Sequence, residues 1–192
     1  RVLIAEEDIQ YNLKKITQEQ VAVNAYMRLK QEYERQSAEM EQLKKRLVQA
    51  SGVDKLKVAG QISAEETKFK AMLWLDKARK MPPQEALDAY KKALSLNPRL
   101  AQAYAGMAEL LYYRNMSIAD DIRTMTSQYQ ELTKALGYLD KALAIEQAYG
   151  DVYAMRVDLL EAMLDRQRRI FEAEGKTSQV AGLEKQYHER IM

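Results

Sequence analysis

The residues Ala86–Leu111, ALDAYKKALSLNPRLAQAYAGMAELL, return 49 positions later as Ala135–Leu160, ALGYLDKALAIEQAYGDVYAMRVDLL. Ala86, Tyr90, Ala93, Leu94 and Leu96 align with Ala135, Leu139, Ala142, Leu143 and Ile145. Beyond a turn, Tyr104, Ala105 and Leu111 align with Tyr153, Ala154 and Leu160. A fixed-offset repeat with helical spacing means stacked units, each unable to bury its apolar face alone. Few folds satisfy that, and an all-α helical-hairpin array is the expectation.

Composition agrees where it bears on this. Ala, Leu, Glu, Lys and Gln dominate, and all are strong helix formers. No sustained alternating run of β-branched residues is present, so a sheet is not expected. Prolines and glycines are few, 3 and 7, so each one is a plausible helix boundary. Pro82-Pro83 should end one helix and start the next, because Pro suits a first turn. Asn97-Pro98 should end the helix Gln84–Leu96, since a residue before Pro is pushed out of the α region. Further helices are predicted over Leu100–Tyr113, Ile118–Glu146 (one helix or two), Val152–Ala173 and Ser178–Ile191. Ser117 and Asp151 are the expected caps, and Gly175 the expected stop. The Asn115–Glu131 surplus should be helical and project from or cover one edge of the array, since Ile118, Ile122, Met125, Tyr129 and Leu132 form a stripe.

Ahead of the repeats, Glu6–Gln49 reads as one long amphipathic helix with coiled-coil character. Tyr26, Leu29, Tyr33, Gln36, Met40, Leu43 and Leu47 are spaced 3, 4, 3, 4, 3, 4. Ile9, Leu13, Ile16, Gln20 and Val23 form an upstream seam, joined through an extra three-residue step from Val23 to Tyr26. Glu41 and Lys45 are placed for an i,i+4 ion pair. So long and narrow a stripe needs a partner. Antiparallel packing on the following segment, homotypic assembly and a foreign partner all satisfy it. We expect the C-terminal half of the arm to pack within the chain. Gly52 should stop this helix, Gly60 should break a short one, and Ser63 with Glu66 should cap a new helix from Ala64 to Lys80. The chain thus divides into an arm, residues 1–62, and a repeat region, residues 63–192.

Ala86, Tyr90, Ala93 and Pro98 resemble the second-helix half of a tetratricopeptide repeat. Tyr104, Met107-Ala108 and Leu111 resemble its first helix, and Trp74, Ala78 and Met81 are a weaker match in the preceding unit. Gln147 replaces the closing Pro of the second repeat, which is longer than the family's usual length of about 34. The chain thus resembles a divergent, short array of about two and a half hairpins. The resemblance implies a right-handed solenoid and assigns packing to Ala86, Tyr90, Ala93, Pro98, Tyr104, Ala108, Ala135, Leu139, Ala142 and Tyr153. It also implies a non-catalytic protein–protein interaction scaffold binding a peptide or protein segment on a surface lined by first helices. The positions there that packing leaves over are Gln102, Glu109, Tyr112, Tyr113, Arg156 and Asp158. The other functional reading is a structural oligomer organised by the N-terminal coiled coil.

Other chemistry finds little footing. With 30 Lys and Arg against 28 Asp and Glu, the net charge of +2 makes nucleic acid a poor default partner. There is no Cys and the one His is His188, so thiolate sites, multi-His metal sites and a Ser-His-Asp triad in mid-chain are excluded. Asp120-Asp121 and Glu65-Glu66 are adjacent carboxylates that do not share a helix face. No Gly-rich phosphate loop or nucleophile elbow is present. We expect no enzyme, no cofactor and no metal. The basic run Arg166-Gln167-Arg168-Arg169 lies among Glu161, Asp165, Glu172 and Glu174 and is expected to be a salt-bridged face. No run approaches the roughly 18 apolar residues of a membrane span. Bacterial envelope and cytoplasm both remain open as compartments, and so does a homo-oligomer through the arm.

Overall fold

Pro83 opens a helix and Asn97-Pro98 closes it, as expected, and the rest of the chain follows the same alternation of helix and stop. A computed structural model describes residues 27–28, 30–117 and 119–191, and these contain seven α-helices and no strand. They are α1 (30–49), α2 (Gly52–Arg79), α3 (Pro83–Leu96), α4 (Ala101–Arg114), α5 (Ile122–Ile145), α6 (Gly150–Ala173) and α7 (Val180–Ile191). A single 3-10 turn, Thr177–Gln179, precedes α7. None of these helices is long and apolar enough to cross a membrane. The upstream seam from Ile9 to Val23, the next seam positions Tyr26 and Leu29, and Ile118 lie outside the described residues.

The described residues divide into two compact units, between Met72 and Leu73. In the first, α1 and the first part of α2 form an antiparallel hairpin. Tyr33 lies on Phe69 with ring centroids 5.1 Å apart. Arg46, Gln49 and Ala50 face Asp54, Lys57 and Val58 at the closed end. The seam residues Met40, Leu43 and Leu47 are half-buried on this side, and Gln36 is buried. Its amide donates to Glu32 Oε1 at 3.1 Å. The C-terminal half of the arm is therefore packed within the chain. Gly52 makes the reversal, with φ +56.

The expected break at Gly60 and restart at Ala64 are not formed. α2 runs through both, and through the 62/63 division, without interruption. A mid-helix Gly costs only about 1 kcal/mol, and Val58 and Ala71, buried on either side of it, hold the helix together by packing. Ser63 accordingly sits in mid-helix, its carbonyl accepting from the Thr67 hydroxyl at 2.9 Å. The Glu41–Lys45 pair is not formed either. Arg35 instead pairs with Glu32 and Glu39. Exposed ion pairs gain little over hydration, so sequence spacing alone does not make one.

In the second unit, α3 packs on α4, α4 on α5, α5 on α6 and α6 on α7, and α4 also reaches α6. The antiparallel register of α4 and α5 is set by two contacts. Tyr104 stacks on Tyr138 at 6.3 Å, and Arg114 pairs with Glu131. The core holds Ala101, Ala105, Ala108 and Leu111 of α4, with Leu132, Ala135, Leu139 and Ala142 of α5. Leu159, Leu160 and Met163 of α6 and Leu183 and Tyr187 of α7 complete it. Small residues on facing positions let helices approach, which is why so many alanines are buried.

The surplus segment is helical from Ile122, and α5 is one helix. Met125 and Leu132 are buried, and the Tyr129 hydroxyl meets that of Tyr187 at 3.0 Å. The cap is Asp121 rather than Ser117: its carboxylate accepts the Thr124 N–H at 2.8 Å. Ser117 instead presents its carbonyl to the Gln128 amide at 2.7 Å. Asp151 lies in the first turn of α6 rather than capping it. Gly175, with φ +74, ends α6 as expected.

Candidate functional site

The positions that the resemblance assigns to packing are buried or half-buried, with two exceptions. Ala86, Tyr90, Ala93, Ala108, Ala135, Leu139 and Ala142 are buried, and Tyr104 is half-buried in its stack. Pro98 is exposed, because it acts through backbone geometry at the α3–α4 turn. Tyr153 is 50% exposed and not a packing residue. Tyr104 has Tyr138 of the following helix above it. The C-terminal end of α7 instead meets Arg156, whose guanidinium donates to the Arg190 carbonyl at 3.1 Å.

Of the six surface positions singled out in the sequence, four lie within electrostatic reach of the Tyr112–Tyr113 pair or belong to it. Glu109, Tyr112 and Tyr113 stand on the last two turns of α4, and Asp158 on α6 lies near enough to both tyrosines to act on their hydroxyls. The Tyr112 and Tyr113 rings meet at 5.6 Å, tilted by 55°. Burial raises both hydroxyls, and the charge of Asp158 raises them further. They therefore stay protonated donors at neutral pH. Glu109 has an exposed side chain, and the partial desolvation of its carboxyl by the surrounding protein raises it above its ordinary value, against a smaller opposing effect of Arg79.

Arg79, itself exposed, stands beside Glu109 at the edge of this face. Its guanidinium hydrogen-bonds the Tyr90 hydroxyl, which burial pushes up to about 12. On the other side Arg166 is buried, and its Nη2 donates to the carbonyls of Asn115 at 2.5 Å and Met116 at 3.0 Å. It ties the end of α4 to α6 and fixes where the two tyrosines stand. Both arginines are engaged with the protein, and the groups they leave over in the cluster are aromatic and acidic.

Gln102 and Arg156 stand apart. Gln102 is half-buried in the first turn of α4. Arg156 pairs with Asp140 at 3.2 Å besides its bond to Arg190, tying together α5, α6 and α7. The basic run divides in the same way. Arg168 and Arg169 pair with Asp165 at 3.1 and 3.0 Å, as a salt-bridged face does. Arg166 does not belong to that surface. Its spacing from Leu159 and Met163, four then three residues, places it on the buried stripe of α6, and that spacing was the signal for it.

Chemically, this cluster offers two tyrosine ring edges, two phenol donors and two carboxylates. It suits a cationic, amphipathic side chain, which carboxylates and aromatic faces hold together. No group of three or more His, Asp or Glu with metal-holding geometry occurs among the described residues. No family model matches this chain, and no curated protein or solved structure matches it either.

Proposed function

We propose that the chain is a non-catalytic interaction scaffold of the tetratricopeptide type, and that the α4–α6 face grips an extended protein segment carrying Lys or Arg. The observation that carries this reading is the convergence of Glu109, Tyr112, Tyr113 and Asp158, from two helices, into one aromatic and acidic surface. The repeat supports it too: packing absorbs the small residues that recur at the 49-residue offset, and Glu109, Tyr113 and Asp158 are left exposed beside the half-buried Tyr112. Tyrosine beside a carboxylate favours recognition, because a rigid ring loses little entropy and a desolvated charge pair adds directionality. An oligomer built on the arm is not proposed, because residues 30–49 lay their apolar edge on α2 of the same chain.

The test is fluorescence anisotropy of the full chain with labelled extended peptides of matched length, one Lys/Arg-bearing and one Glu-bearing. The basic peptide should bind and the acidic one should not. Tyr113→Ala and Asp158→Asn should each weaken binding by about tenfold without moving the melt. Equal binding of the basic peptide to both variants would remove the face from the reading.

A further inference from the structure

The closed end of the α1–α2 hairpin exposes more apolar surface than any other part of the described structure. Val48 is 86% exposed, Val53 81% and Leu56 75%. Every other exposed large apolar side chain among the described residues has half or more of its surface covered. Single exposed apolar residues are ordinary, but three within nine positions at one turn form a patch.

The same tip is basic. Lys44, Lys45, Arg46, Lys55 and Lys57 are all exposed, against the single acid Asp54 in residues 44–57. Among the described residues, none of these five cations forms an ion pair. They contrast with Arg35, Lys68, Lys80 and Lys91, each of which pairs with a carboxylate three or four residues away. The geometry brings the two sets together. Gly52 reverses the chain, so the end of α1 and the start of α2 lie side by side, with Arg46 and Lys57 both lining the open notch between them. Val58, buried beneath, anchors the turn.

We infer that this tip is a docking element for an anionic bilayer surface. The five cations meet lipid headgroup phosphates and carboxylates, while Val48, Val53 and Leu56 enter the boundary between headgroups and acyl chains. Charge complementarity selects the occupant: a purely acidic protein would satisfy the cations and leave the three apolar side chains in water. An interfacial bilayer takes both at once. The hairpin lies on the membrane by its end and does not cross it, consistent with the absence of a spanning helix among the described residues.

The test is co-sedimentation of the full chain with two kinds of vesicle. One is phosphatidylcholine alone, and the other contains about a third phosphatidylserine. The chain should bind the anionic vesicles and not the neutral ones. Val53→Ser with Leu56→Ser should weaken that binding by about tenfold or more. Lys55→Glu with Lys57→Glu should weaken it at least as much. All four positions are exposed, so both variants should keep the parent melt. Because the chain has no Cys, Leu56→Cys can also be labelled with an environment-sensitive dye, whose emission should shift to the blue on anionic vesicles. Absence of vesicle binding overturns the inference. So does binding that only the charge variant weakens, with no dye shift, since a tip that attracts any polyanion does that.

Discussion

Gly106 of α4 lies against the ring of Tyr90 of α3 so closely that a Cβ at Gly106 would fall on the ring itself. The neighbouring atoms are the ring's Cζ, Oη and Cε1. Tyr90 is buried and its hydroxyl is held by Arg79, so the ring has no freedom to swing aside. The absence of a side chain at one position is thus what seats α3 on α4 and carries Arg79 to the edge of the Glu109 cluster.

Gly106→Ala should therefore destabilise the chain by about 1–3 kcal/mol, although Ala is the better helix former. Tyr90→Leu on its own loses ring packing and the Arg79 bond. Combined, the two should cost less than their sum, because the shorter side chain vacates the space that the new methyl needs. Urea denaturation of the two single variants and the double variant reads this directly. Additive costs would show that the ring is not the obstacle.

Arg166→Ala should cost about 3 kcal/mol, since it leaves the Asn115 and Met116 carbonyls without their buried donor. Arg166→Lys should recover only part of this, because a single ammonium cannot keep both the Nη2 bonds to Asn115 and Met116 and the Nη1 bond to the Ala162 carbonyl. A full recovery by Lys in a thermal melt would mean that charge alone, and not the fork geometry, matters there.

Glu109 gives the chain a signed pH dependence. Its carboxyl sits above the ordinary 4.5 in the folded state, so the folded state binds that proton more tightly than the unfolded chain does. At pH below about 4.5 both states are protonated and nothing is lost. As pH rises past that value, ionisation costs the folded state more, and the loss is complete once pH exceeds the raised folded value. Glu109→Gln removes the ionisation. The variant should melt higher than the parent at about pH 7 and converge with it near pH 4. A constant difference across that range would assign the effect to packing.

Leu43→Asp with Leu47→Asp should destabilise the hairpin by about 2 kcal/mol or more, because both carboxylates would face α2. Light scattering should give the same mass for parent and variant, with the change confined to the melt. A fall in mass with an unchanged melt would mean that another copy, and not α2, covers this seam.

Read by itself, the sequence determined the helical class, most helix ends, and which alanines lie inside. Those are local quantities: propensity, a missing N–H at Pro83 and Pro98, a left-handed turn at Gly175, and apolar spacing along one helix. It also picked out Glu109, Tyr112, Tyr113 and Asp158, because the repeat showed which positions packing does not use. Only the tertiary structure decided that Asp158 comes within electrostatic reach of Tyr112 and Tyr113 while Gln102 and Arg156 stand elsewhere, since that depends on how α4 and α6 pack. Gly60 is a breaker by propensity, but the burial of Val58 and Ala71 keeps α2 intact. Ser117 and Asp121 are equally good caps by residue type, and it is Asp121 whose carboxylate accepts the Thr124 N–H, while Ser117 is held through its carbonyl by the Gln128 amide. Arg166 looked like one charge in a surface run, and it is buried because two carbonyls at the end of another helix need a donor. In each case energies of about 1 kcal/mol along the chain were overruled by packing and hydrogen bonding between segments far apart in it.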